Sequence, residues 1–108
     1  MTEVNVAQDV LAAGQKRARD FAALLGIEHP VLNAPMPVEA GVELVAAVSE
    51  AGGLGVLSSA GRTPDELSKT VAAIRARTNK PFAIHLELPA KSLNSQELDG
   101  AKMLAEGL

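Results

Sequence analysis

The chain has 108 residues, 47% of them hydrophobic and 21% charged, with a formal net charge of −3. This length suits one ordinary domain, and the composition excludes intrinsic disorder. With only Phe21 and Phe82 as aromatics, an acidic balance and no cysteine, it also excludes a base-stacking nucleic-acid surface, disulfides, thiolate nucleophiles and cysteine metal sites.

Residues 1–10 carry Glu3 and Asp9 and no long apolar run, so they read as neither a signal peptide nor a membrane span. The cytoplasm is the expected compartment. Residues 7–25 have helical spacing, with Gly14, Ala18, Phe21 and Leu25 on one face and Lys16, Arg17 and Arg19 elsewhere. Gly26 is a natural stop. Ile27 to Pro30 is a connector at the amino end of the strand that follows. Residues 31–34 form a short apolar run suited to a buried strand, and Pro35 and Pro37 place a turn directly after it.

A second helix is expected over residues 41–51, with Leu44, Val45 and Val48 as its buried stripe and Glu43 and Glu50 facing outward. Gly52-Gly53 ends it, and residues 54–57 form a second buried strand. Because these glycines close a helix and open a strand, they fail the order required of a dinucleotide fingerprint. Ser58, Ser59, Ala60 and Gly61 make a small-residue loop after that strand. No partner base accompanies the serines, so a serine nucleophile is not expected.

Thr63-Pro64-Asp65-Glu66 combines a capping hydroxyl, proline at the first helical position and glutamate three residues after the cap. The helix it opens carries Leu67, Val71 and Ile74 on one face. Residues 82–88 are the third strand. There Phe82, Ile84, Leu86 and Leu88 alternate with Ala83, His85 and Glu87, so His85 and Glu87 point away from the helix-covered face. A last helix is expected over residues 95–106, with Asn94 and Glu97 as its cap pair and Leu98, Ala101, Ala105 and Leu108 as its stripe. Strands alternating with helices imply a parallel α/β sheet with right-handed crossovers. Two distant histidines give a metal site no support.

Four segments agree in order and spacing with one family: LGIEHPVLNAPM over 25–36, ELVAAVSEAGGLG over 43–55, TPDEL over 63–67 and Lys80-Pro81-Phe82. Together they resemble the opening of a nitronate monooxygenase, formerly 2-nitropropane dioxygenase. FMN-dependent enoyl-ACP reductases open in a similar way. The resemblance implies a (β/α)8 TIM barrel with FMN at the carboxyl ends of its strands. Such barrels need about 250 residues, so residues 1–108 are expected to form a single partial domain, the N-terminal segment of a flavin-binding barrel with about three βα units.

The family match carries particular positions. Asn33, Ala34, Pro35 and Met36 match the motif whose backbone runs along the flavin ring. Ser58, Ser59 and Ala60 match the loop that borders the cofactor. His85 stands where the family commonly has asparagine, a flavin-contacting side chain, and is a catalytic candidate; its bulk and charge differ from those of an amide. The implied reaction oxidises an alkyl nitronate with dioxygen to a carbonyl compound and nitrite. The alternatives are enoyl reduction with a nicotinamide donor, and a non-catalytic partial-barrel subunit. The implied partners are a small-molecule substrate, dioxygen, and the rest of the barrel or a companion chain. Two unpaired sheet edges favour association with another chain. Neither nucleic acid nor membrane is expected as a partner.

Overall fold

A computed structural model describes residues 3–87 and, beyond them, Gln96, Asp99, Gly100, Lys102, Met103, Glu106 and Gly107. The elements in chain order are α1 (Glu3–Leu25), α2 (Val42–Glu50), β1 (Gly55–Ser58), α3 (Pro64–Arg75) and β2 (Phe82–His85). Among the described residues no helix is long and apolar enough to cross a membrane.

The local signals act as expected at α3. Glu66 N donates to Thr63 Oγ1 at 3.2 Å and Thr63 N donates to Glu66 Oε2 at 3.0 Å, a reciprocal cap with Pro64 entering the first turn. The last turn brings the Arg75 guanidinium to 4.5 Å from the centre of the Phe82 ring, tying α3 to the next strand. Gly26, at φ 69, ends α1, and Gly52, at φ 99, turns the chain out of α2 in a conformation that L side chains rarely adopt.

β1 and β2 pair in parallel with Gly55 opposite Phe82 and Ser58 opposite His85. The expected strand over 31–34 is reduced to one parallel bridge, Leu32 to Leu54. Side-chain chemistry accounts for the difference. Asn33 Oδ1 accepts from Val56 N at 2.8 Å, and its Nδ2 donates to Val56 O at 2.9 Å. The side-chain amide thus takes the place that a backbone peptide would hold in a ladder, and the prolines on either side prevent the run from extending.

The core is Val45, Leu57, Leu67 and Ile74, with Val42, Val71, Phe82 and Ile84 packed around it. Phe82 and Ile84 therefore face the helices, as their alternation predicts. The stripe of α2 differs from expectation: Val45, Ala46 and Ser49 are buried, whereas Leu44 is exposed and Val48 partly so. Ser49 sets this rotation. Its hydroxyl accepts from Gly55 N at 3.0 Å and donates to Pro81 O at 2.8 Å, so one buried group fastens α2 to the entrance of both strands. The third strand stops at His85, and Leu88 lies outside the described residues. Within the expected last helix, Gln96, Asp99, Gly100, Lys102 and Met103 are helical; its proposed cap pair and stripe lie outside the described residues.

Candidate functional site

Parallel pairing sends three segments out of the layer at one end: Asn33–Met36 after the Leu32 bridge, Ser59–Arg62 after β1, and Leu86–Glu87 after β2. The carboxyl end of a parallel layer is where α/β folds place ligands.

Each segment is held by identifiable bonds. Asn33 Nδ2 also donates to Ala34 O at 2.9 Å, so both of its donors are engaged and the amide fixes the turn to β1. Met36 N donates to Ala34 O at 2.9 Å, and Met36 keeps its side chain partly exposed next to exposed Val38. Ser59 N donates to His85 O at 3.0 Å, which joins the second loop to the end of β2. Ser58 is buried; its Oγ accepts from Ala60 N at 3.2 Å and its carbonyl accepts from Arg62 Nε at 3.1 Å.

The sequence-derived residues separate into two groups. Ser59 and Ala60 line a cleft of ≈ 180 Å³ together with Gly61, Arg62, Leu86 and Glu87. His85 and the Asn33–Met36 turn do not line it. His85 is exposed at the end of β2, with its backbone carbonyl engaged by the neighbouring loop. Glu87 lies in the cleft and His85 does not, so the two do not form a polar pair in one pocket. The alternation that would align them stops with the strand at His85.

Sequence reasoning missed Arg62. Its guanidinium reaches Ser58 O and, at 3.4 Å, Thr70 Oγ1, and this brings a cation to the cleft wall. Its position one residue before the Thr63 cap, in a loop following a strand, was the available signal.

As candidate wall for a flavin ring, the rim offers Pro35 and Met36 as apolar surface, small residues at Ser59 and Ala60, and polar atoms on Ser59 and His85. That donor set suits one side of a flat heteroaromatic ring. Asn33 is already spent on the backbone. Its contribution is to hold the turn.

This parallel βα layer, with its loops gathered at the carboxyl ends, is a sector of a TIM barrel. The structure of FabK from Thermotoga maritima superposes on it with a TM-score of 0.71 at 38% identity, covering 81% of this chain and 27% of that chain. Residues 19–107 match the nitronate monooxygenase family model, and the chain belongs to that family. It is 46% identical over 67 residues to a (3aS,4S,5R,7aS)-5-hydroxy-7a-methyl-1-oxo-octahydro-1H-indene-4-carboxyl-CoA dehydrogenase of Mycobacterium tuberculosis, covering 62% of this chain and 19% of the relative. It is 39% identical over 66 residues to a nitronate monooxygenase of Pseudomonas aeruginosa, covering 61% and 19%. The chain thus spans about a fifth of the length of these two curated relatives, one named as a dehydrogenase and the other as a monooxygenase.

Proposed function

We propose that this chain forms the N-terminal wall of the flavin site of an FMN-dependent oxidoreductase that oxidises alkyl nitronates with dioxygen. In this reading residues 1–108 are one partial domain of a cytoplasmic flavin-binding barrel, completed by further βα units in the same polypeptide or in a companion chain. The observation that carries it is the gathering of the Asn33–Met36 turn, the Ser59–Ala60 loop and His85 at one end of a parallel layer, in a chain of this family.

FMN, when bound, would supply the redox chemistry between the nitronate and dioxygen. The residues of this chain bind and orient. Ala34, Pro35 and Met36 present backbone and apolar surface to the ring and keep water from one face. Asn33 holds that turn in register with β1. Ser58 shapes the second loop from beneath. Ser59 and Ala60 leave room at the ring edge, and the Ser59 hydroxyl can donate there. The His85 imidazole can donate or accept a hydrogen bond where the family's asparagine amide would sit.

A second reading is oxidoreduction of an acyl or enoyl thioester. It is favoured by the likeness to a CoA-ester dehydrogenase and to FabK. The test is to purify the tagged protein with whatever accompanies it, supply FMN, and assay two reactions. Nitrite formation from an alkyl nitronate in air, without nicotinamide, is the expected result. Consumption of NADH or NADPH with an enoyl thioester, and no nitrite, would select the second reading.

A further inference from the structure

The feature that the flavin reading leaves unused is α1. It runs for 23 residues, about 34 Å at helical rise, and most of it precedes residue 19, where the family match begins. It packs on none of the other four elements. Among its described residues only Ala22 is buried, where the helix meets its own connector through Ile27 N donating to Ala22 O at 2.9 Å.

This free helix is not polar all round. Ala7, Leu11, Gly14, Ala18 and Phe21 follow one another at alternating steps of four and three, the spacing of a helix-pairing seam. Leu11 is 62% exposed and Phe21 42% exposed, and Val10 flanks the seam at 68%. Gly14 is the middle residue of the helix, and a Cβ built there meets nothing within 4 Å.

We propose that α1 pairs with α1 of a second copy of this chain, antiparallel, with the two helices crossing at Gly14. Side-chain volume selects this partner and this direction. In an antiparallel pair centred on Gly14, Phe21 of one copy lies opposite Ala7 of the other, and Ala18 lies opposite Val10, one residue from Leu11. Large meets small at each layer, and the two glycines let the backbones approach at the centre. A parallel pair would set Phe21 against Phe21 beside layers of Ala7 and Gly14 that leave gaps. Charge favours the same direction. Glu3 and Asp9 lie in the first half of α1, whereas Lys16, Arg17 and Arg19 outnumber Asp20 in the second. Opposed helices place unlike halves, and unlike ends of the two helix dipoles, side by side. The contact is isologous and closes at two copies.

The test is sedimentation equilibrium of the 108-residue chain. A seam of about two heptads, carried on a helix of 23 residues, is expected to give a dimer in the micromolar range. Dimerisation should weaken several-fold when salt is raised from about 0.05 M to about 0.5 M. Leu11→Lys is expected to weaken it at least about tenfold, a loss of about 1.4 kcal/mol, while circular dichroism shows that helix content is retained. Because the chain has no cysteine, Ala7→Cys mixed with Phe21→Cys should form a disulfide-linked pair in air faster than Ala7→Cys alone. A dimer unaffected by Leu11→Lys, or faster linking of Ala7→Cys to itself, would overturn the proposal. So would a chain that stays monomeric at about 100 μM, far above the expected range, including one that floats with phospholipid vesicles instead. None of these outcomes depends on the flavin reading.

Discussion

Gly55 starts β1 against α2, and a Cβ at that position would run into the carbonyl group of Val45, with its carbon 2.8 Å away. Backbone on both sides cannot give way as a flexible side chain could. Gly55→Ala is therefore expected to destabilise the fold by about 3 kcal/mol, read as a fall in the urea midpoint without a change of slope. Asn33 poses a different problem, since its amide serves both polar groups of Val56. Asn33→Ala leaves those groups unpaired and should cost about 2 kcal/mol. It should also free the turn, seen as faster hydrogen exchange at Val56 and Met36. His85 makes no side-chain bond among the described residues and is exposed, so His85→Asn should change stability by no more than about 0.5 kcal/mol. A larger loss there would mean that the His85 side chain packs into the layer. Asn33 reads from sequence only as a residue of the expected strand over 31–34, because its partner Val56 is 23 residues further along the chain. No local pattern reports such a bond.

Element by element, what could be read in advance follows the range of the interactions. The α3 start was legible because its hydroxyl, proline and carboxylate lie within four consecutive residues. The ends of α1 and α2 were legible because glycine at positive φ is a local signal. The run over 31–34 was less so: its apolar character is real, but whether it pairs as a strand depends on β1, and the Asn33 amide takes over that pairing. The rotation of α2 was hidden for the same reason, since Ser49 is positioned by Gly55 and Pro81 on two other segments. In the candidate site, Ser59 and Ala60 were legible as a loop after a strand, whereas Arg62 joins the cleft through bonds to Ser58 and Thr70 that no motif announces. The local character of the α3 cap gives it a local test. Thr63→Ala removes the acceptor for Glu66 N and should cost about 1 kcal/mol. Thr63→Ser, which keeps that oxygen, should recover most of the loss in the same urea titration.

The whole molecule extends 60 × 35 × 25 Å, elongated because α1 stands apart from the α2–β1–α3–β2 layer. A ligand-sized pocket of about 300 Å³ or more that covers most of its ligand is the usual requirement for tight binding. The rim cleft here is ≈ 180 Å³, and the Pro35-Met36 surface lies outside it, so the chain can offer a flavin ring one wall but not an enclosure. Gly52-Gly53 follows a helix and precedes β1, at the amino end of the layer, so it does not supply a cradle for the phosphate beside that wall. The 108-residue chain alone is therefore expected to bind FMN weakly, with a dissociation constant above about 10 μM. Quenching of flavin fluorescence during titration with the chain measures this directly. Pairing through α1 should not alter the result, because Gly14 and its neighbours belong to a helix that packs on neither of the strands from which the rim loops leave. Tightening by at least about a hundredfold on adding the polypeptide that carries the remaining strands would fit a wall completed by its barrel. Sub-micromolar binding by the chain alone would instead require a complete flavin site within these residues, and the partial-barrel reading would then fail.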